Sequence, residues 1–391
     1  MTEMVYGSVP SARGEPVISK WWRTIDRWTL SSIFILFAIG ILLGFAASPP
    51  LAAKNGFEPF HYVQRQMMFG TFAVLIMLVT SLMTPKWIRR LSVMGFMVAF
   101  VATLLLPYFG TDFGKGSVRW YSLGFSSIQP SEFLKPGFVV VTAWLIAASQ
   151  EINGPPGKMW SFFLAVTVAI LLVLQPDFGQ ACLIIFAWGV IYFVAGAPLT
   201  ILVGMAGAVV GAGTIAYNAS EHFARRIDGF LSPDIDPRTQ LGYATNAIQE
   251  GGFLGVGVGE GEVKWSLPDA HTDFIIAVAA EEYGFVLVAL IITIFTGIVL
   301  TSLVRLMRER EAFVRLAGTG LVAMFGIQAV INMGVAVRLL PAKGMTLPFV
   351  SYGGSSLIAG GIAIGMLLAF TRTRPQKDVT DLMVGRNICC L

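Results

Sequence analysis

The chain has 391 residues, of which 55% are hydrophobic and only 13% charged, and its mean hydropathy is +0.72. A soluble domain carries about 25% charged residues, so the composition excludes an ordinary soluble enzyme and indicates a polytopic membrane protein. A pI near 9.0 on a net charge of +4 fits positive cytoplasmic loops and makes no case for nucleic acid as a partner.

Each crossing of a bilayer core takes roughly 20 apolar residues in a helix. After a polar tail over 1–27, such runs fall at 29–48, 66–84, 91–109, 134–150, 159–175, 178–197, 198–218, 283–304, 313–337 and 349–370. The expectation is an all-α fold with about ten transmembrane helices in one membrane domain over 28–371, followed by a tail over 372–391. The pairs on either side of Asp177 and of Ala197-Pro198 are joined by very short turns, with Pro176 and Pro198 as breakers. The largest connection, 219–272, joins the seventh and eighth spans. The polar start and the length of the first apolar run argue against a cleavable signal peptide.

Positive residues orient the bundle. With both termini inside, 16 of the 27 Lys and Arg are cytoplasmic, among them Lys86, Arg89, Arg90, Lys158 and Arg305. Leaving out the long loop, which counts little in this rule, 7 are outside. The expectation is two cytoplasmic termini and an extracytoplasmic 219–272. Cys182 lies in an apolar run and Cys389-Cys390 in the tail, which supports neither a disulfide framework nor a metal site. The ending Cys-Cys-Leu is not a prenylation box, which needs its cysteine fourth from the end.

Polar residues gather on the outer side in four clusters: GKGSVRWYSLGFSSIQPSEFLKP (114–136), QPDFG (175–179), GGFLGVGVGEGEVKWSLPDAHTD (251–273) and RLLPAKGMTLPFVSYGGSS (338–356). Together they suggest one site at the outer face for a substrate that is part lipid and part polar. Each cluster also has a plain structural reading. Arg119 and Trp120 suit the headgroup level as interfacial anchors. The six glycines of 251–261 lack the strand–loop–helix setting of a phosphate cradle and read as a flexible or close-packed loop. Gly353 to Ser356 suit close helix packing. Lys135 opens a span, where it either snorkels to the interface or holds an anionic group.

The stretch LPDAHTDFIIAVAAEEYGF (267–285), which continues the third cluster, needs helical geometry. With Thr272 as N-cap, Asp273 sits in the first turn, where the helix dipole favours an anion. His271 is then about 200° round from Asp273, which argues against a His–Asp catalytic pair and leaves His271 as a loop or substrate-contact residue. Glu282 falls on the opposite face, and Glu281 lies about 80° away. An uninterrupted helix over 273–303 would be roughly 46 Å long against a core of about 30 Å, so the segment must tilt, bend near Gly284, or form a separate short helix. An ionised glutamate inside the bilayer costs a few kcal/mol, which places the pair near the outer boundary or in a wet cavity, with a structural role preferred.

The pieces RWYSLGFSSIQPSEFLK, QPDFGQA, AHTDFIIAVAAEEYGF and LPFVSYGGSS, in this order and each beside a span, resemble the SEDS family of peptidoglycan polymerases over roughly residues 25–375. Within it, LPAKGMTLPFVSYGGSSL and the alanine of AHTDF look more like the division-type FtsW members than the elongation-type RodA ones. The resemblance implies ten spans and a glycosyltransferase that extends glycan strands from lipid II outside the cytoplasmic membrane. It also implies a cognate class B penicillin-binding protein, the transpeptidase, and other divisome membrane proteins as partners. Asp273 matches the family's essential acid at the outer cavity. Relatives can carry an arginine two residues before Gln129-Pro130, where this chain has Ser127 and where Arg119 is available to supply the charge.

In such a transfer the 4-hydroxyl of GlcNAc on lipid II attacks an anomeric carbon that bears a polyprenyl diphosphate. Asp273 is the candidate base. Arg119, Lys135, Lys264 and Lys343 are candidates for the diphosphate, with Trp120, His271, Ser351 and Ser355 as further substrate contacts. Gln129, Glu132, Gln175, Asp177 and Glu281 are supporting groups. No cofactor is required by the sequence; a Mg or Mn ion is an option without an evident ligand cluster. The competing readings are a lipid II flippase, which would need a polar path through both leaflets, and a non-catalytic scaffold for the transpeptidase.

Overall fold

The computed structural model describes residues 16–112, 118–124, 126–219, 221–231, 239–341 and 344–373. Lys343 and the ends of both tails lie outside the described residues, as do Cys389 and Cys390. A short amphipathic helix α1 (Val17–Thr24) leads into α2 (Arg27–Lys54), α3 (His61–Leu82) and α4 (Pro85–Phe109). A two-stranded hairpin follows, β1 (Tyr121–Ser122) and β2 (Ser127–Ile128), antiparallel with Tyr121 opposite Ile128. The chain continues through α5 (Pro130–Ala148), α6 (Gly157–Val173), α7 (Phe178–Val194) and α8 (Leu199–Ala219). Next come α9 (Glu221–Leu231), α10 (Gln240–Gly251), α11 (Ile275–Met307), α12 (Ala312–Ala336) and α13 (Gly354–Phe370).

Six of these helices are long and apolar enough to cross a membrane, and α6, α7, α8 and α13 are shorter apolar helices. These ten coincide with the ten expected spans. The apolar core runs through α2, α5, α7, α11, α12 and α13, with Trp188, Phe138, Phe274 and Phe370 among its largest fully buried side chains.

Polar side chains tie the two ends of the bundle. At one end the Trp21 indole donates to Ser81 Oγ at 2.9 Å, and Arg305 pairs with the buried Asp26 at 3.0 Å. Arg372 Nε donates to Thr24 Oγ1 at 3.1 Å, and Thr373 N to Thr24 O at 3.0 Å. The start of α2, the end of α3 and the ends of α11 and α13 therefore share one basic end. At the other end Gln66 Nε2 of α3 donates to Val350 O at 3.1 Å, and Tyr352 N donates to His271 O at 3.0 Å.

The 219–272 connection is more than a loop. Within it α10 packs along the start of α11 through the buried Ala244, Ala247 and Gly251. Helix α11 itself is broken at Gly284 (φ 72°, ψ −170°), so it is a half-helix followed by a long span, which is the bend among the three outcomes its excess length allowed. A break frees carbonyls on one side and amides on the other. The glycine-rich stretch supplies all four partners in view: Glu281 O accepts from Val256 N at 2.9 Å and Glu282 O from Gly257 N at 3.2 Å. Phe285 N donates to Gly252 O at 3.1 Å and Val286 N to Phe253 O at 3.4 Å. The stretch is thus a close-packed plug. Gly255 (φ 84°) lets it approach, since a Cβ there would meet Glu282 O at 2.2 Å.

A Cβ on Gly284 would lie 2.3 Å from Phe253 O, in a backbone region that only glycine adopts readily. Gly284→Ala should cost about 1–3 kcal/mol from conformation alone, seen as a lower melting temperature of the purified protein in detergent. Gly297→Ala, whose new Cβ would meet nothing closer than Trp28 Nε1 at 3.6 Å, should melt near wild type.

Candidate active site

Asp273 is not in the first turn of α11. The helix starts at Ile275 with Phe274 at its N-cap and no side-chain cap, and Asp273 belongs to a preceding turn in which its N–H donates to Asp269 O at 3.1 Å. Thr272 Oγ1 also turns back to Asp269 O, at 3.2 Å, so the expected Thr272 cap does not form. Aspartate is therefore not held here by a capping role. Its partly buried carboxylate lies beside the backbone of Gly344, where an added Cβ would meet Asp273 Oδ2 at 3.2 Å.

What fixes Asp273 is a clamp on its backbone. Asn332 Nδ2 of α12 donates to Asp273 O at 3.0 Å and to Met345 O at 2.6 Å, joining the 271–273 turn to the segment before α13. One helical turn earlier, Gln328 Nε2 donates to Thr346 O at 3.2 Å. Gln328 Oε1 accepts from Lys135 Nζ at 3.5 Å, Lys135 pairs with Glu132 at 2.8 Å, and Glu132 Oε1 accepts from Gln180 Nε2 at 2.7 Å. One polar chain thus runs from Asp273 through α12 and α5 to α7, inside an apolar bundle. Sequence reasoning passed over Gln328 and Asn332. Their signal was two amides one turn apart in an otherwise apolar span, which lie on one helix face.

The same geometry reassigns several expected ligands. Lys135 does not snorkel; it is 3% exposed and turned inward to Glu132. Ser351, also buried, donates to Thr272 O at 2.5 Å and accepts from Leu347 N at 2.9 Å. Ser355 donates to Ser127 O at 3.2 Å and accepts from Gln129 N at 3.1 Å, so both serines fasten the site's loops to one another. Lys264 departs most. Its Nζ forms a buried ion pair with Glu282 and donates to Gly259 O at 3.2 Å. Glu281 accepts Val263 N at 2.7 Å and Lys264 N at 3.1 Å. The two glutamates sit in a protein-filled knot beneath the plug instead of facing water, because Lys264 and two amides neutralise them there.

Arg119 holds the turn before α7: Nε donates to Gln175 O at 3.0 Å, Nη2 to Pro176 O at 2.6 Å, and Nη1 lies 3.9 Å from Asp177. Gln175 Nε2 in turn donates to Thr103 O at 2.6 Å, and Asp177 caps α7 by accepting Gln180 N at 3.4 Å. Trp120 is half-buried and pairs through its backbone with Thr111. The His271 ring packs at a tilt against Tyr352 at 5.5 Å and Tyr62 at 5.3 Å between ring centroids. Arg65, another residue the sequence reading passed over, hydrogen-bonds Tyr352; burial pushes that phenol above its ordinary value and the guanidinium pulls it back. Among the described residues no three His, Cys, Asp or Glu side chains gather to hold a metal.

Two stability effects follow from these contacts. Asn332→Ala strips two buried carbonyls of a donor and should cost about 1–3 kcal/mol. Lys264→Met leaves Glu282 charged and unpaired, a loss of about 3–5 kcal/mol, most of which the double variant Lys264→Met/Glu282→Leu should restore. Thermal unfolding in detergent reads both. Equal losses in the Lys264 single and double variants would show that the pair carries no coupling.

The model of the FtsW/RodA/SpoVE family, described as cell cycle protein, matches residues 27–376. The probable peptidoglycan glycosyltransferase FtsW of Caulobacter vibrioides is 41% identical over 357 residues, which is 91% of this chain and 91% of that protein. Its namesake from Trichlorobacter lovleyi is 34% identical, over 88% of this chain and 92% of its own. Among solved structures, a chain from a peptidoglycan synthase complex that coordinates polymerization and crosslinking superposes with a TM-score of 0.72 at 26% identity, covering 89% of this chain and 97% of that one. The rod shape determining protein RodA of Thermus thermophilus shares the fold, with a TM-score of 0.67 at 24% identity over 91% of this chain and 99% of its own. The match begins with α2 and ends just beyond α13, so it takes in the clamp on Asp273, the plug and the buried polar chain: the protein belongs to the FtsW/RodA/SpoVE family.

Proposed function

We infer that the protein is a peptidoglycan glycosyltransferase of the division type, which polymerises lipid II into glycan strands at the outer face of the cytoplasmic membrane during septal wall synthesis. The observation that supports this most directly is the setting of Asp273. Its backbone is clamped by Asn332, and its carboxylate is partly exposed at the polar end of the bundle, beside Gly344. A base held on a fixed turn, where lipid and water meet, is what a membrane-anchored sugar acceptor requires. The carboxylate takes the proton of the GlcNAc 4-hydroxyl as that oxygen attacks the anomeric carbon from the face opposite the diphosphate. The configuration inverts, and polyprenyl diphosphate leaves. General-base help of this kind contributes about 10²–10⁴-fold.

The departing diphosphate needs positive charge. Arg119, with 27% of its side chain exposed, and Arg65, bonded to Tyr352, are the described cations suited to it. Lys135 and Lys264 serve by holding the frame. A Mg or Mn ion, where one takes part, would enter on the diphosphate, since magnesium commonly binds through one or two carboxylates plus substrate phosphates. The basic end, with Arg305, Arg308 and Arg372, faces the cytoplasm together with both tails (1–27 and 372–391), so the 28–371 membrane domain opens its polar end outward. A cognate class B penicillin-binding protein crosslinks the strands as they emerge, and other divisome membrane proteins accompany the pair.

The test is lipid II polymerisation by the purified protein with its transpeptidase partner, read as glycan-strand length on gels. Asp273→Asn and Asp273→Ala should both lower the rate by about 10²-fold or more, while partner binding and melting temperature stay at wild-type values. Wild-type polymerisation by Asp273→Ala would overturn the assignment.

A further inference from the structure

The end of the bundle opposite Asp273 carries a cavity of about 580 Å³ between the start of α2, the end of α11 and the residues after α13. Its volume is in the range of small-molecule sites. The lining divides by height. Trp28, Leu300 and Val304 are apolar, and they are 59%, 56% and 51% exposed on the outside of the bundle, where lipid tails lie. Above them stand Arg305, Arg308 and Arg372. The protein holds Arg305 and Arg372 in place through bonds to other elements. Arg305 is anchored by Asp26, which is itself buried and fixed by Trp28 N at 3.2 Å and Thr29 Oγ1 at 2.8 Å. Arg372 is anchored by Thr24 Oγ1 at 3.1 Å and Ser81 O at 3.5 Å. Trp28 lies across Gly297, the ring where an interfacial tryptophan belongs.

The geometry points to a binding site for the lipid-anchored phosphate of an anionic phospholipid, with its head group among Arg305, Arg308 and Arg372 and its acyl chains descending over Trp28, Leu300 and Val304. Charge selects the phosphate, because basic pockets between transmembrane helices on the cytoplasmic side favour anionic head groups. The exposed apolar surface directly beneath selects an amphiphile over a free anion or an acidic peptide, neither of which would cover it. Glu309, the acid on the same lining, faces a bound head group less favourably and sets a preference for a single phosphate over a crowded polyanion. Filling the site would tie the ends of α2, α11 and α13 together from the cytoplasmic side. It is separate from glycosyl transfer at Asp273 and does not depend on that reading.

Native mass spectrometry of the full chain in detergent, titrated with phosphatidylglycerol or phosphatidylcholine of identical acyl chains, tests this. Phosphatidylglycerol should be retained preferentially, and Arg308→Gln/Arg372→Gln should weaken it about 25-fold, near fivefold per arginine. Because Arg372 also anchors the chain end, Arg308→Gln alone gives a second reading, with a fivefold loss, and Arg308→Lys should bind within about twofold of wild type. Glycerol phosphate at the same concentration should displace nothing. Equal retention of the two lipids, wild-type affinity in the folded double or single Gln variant, or displacement by glycerol phosphate would each overturn the site.

Discussion

The break at Gly284 is the constraint around which the half of the molecule that carries Asp273 is arranged. In hydrocarbon a backbone polar group without a partner costs several kcal/mol, so a span interrupted at φ 72° and ψ −170° needs donors and acceptors from elsewhere in the chain. Residues 252–257 provide them, and that obliges the connection after α8 to fold back into the bundle. Once it is there, Val263 and Lys264 reach Glu281 and Glu282, and the half-helix 275–283 is fixed at both its backbone and its acids. Asp273 stands just before that half-helix. Its position is therefore inherited from a break eleven residues further on.

The buried charges follow one rule. Each of Glu132, Lys135, Lys264 and Glu282 is sequestered with an opposite charge, which is how an intramembrane ion is tolerated. Asp26 follows it at the basic end, where Arg305 keeps part of its surface to water. These pairs make the bundle a frame with two polar ends and little freedom between them. The partly exposed Asp273 differs from them in kind. Its carbonyl is held by Asn332.

Serines, amides and an arginine join the separate pieces of the end that carries Asp273. Ser351 connects the 345–353 segment to Thr272, Ser355 connects α13 to the hairpin and α5, and Arg119 connects the hairpin to the α6–α7 turn. Ser351 and Ser355, which look like ligands in a motif, are here fasteners of the site. A fastener of this kind is sensitive to substitution for the same reason a ligand is, since removing it leaves a buried partner unsatisfied.

Apolar run length set the ten helices, and the excess of the 273–303 segment over a bilayer core called for a tilt, a bend or a separate short helix; the structure bends it at the glycine named from sequence. The four motifs in order gave the family. These features are local or additive, so a linear reading carries them. Helical phase set Glu281 and Glu282 apart from Asp273 on a helix that in fact begins only at Ile275, and it could not name their partner. Lys264 meets Glu282 only because the glycine plug folds under α11, and Asn332 reaches Asp273 across 59 residues. Which polar side chain is a ligand and which is a fastener depends on the second group it meets in space. Tertiary packing alone decided that, because a buried charge or amide is committed to whichever partner spares it from hydrocarbon.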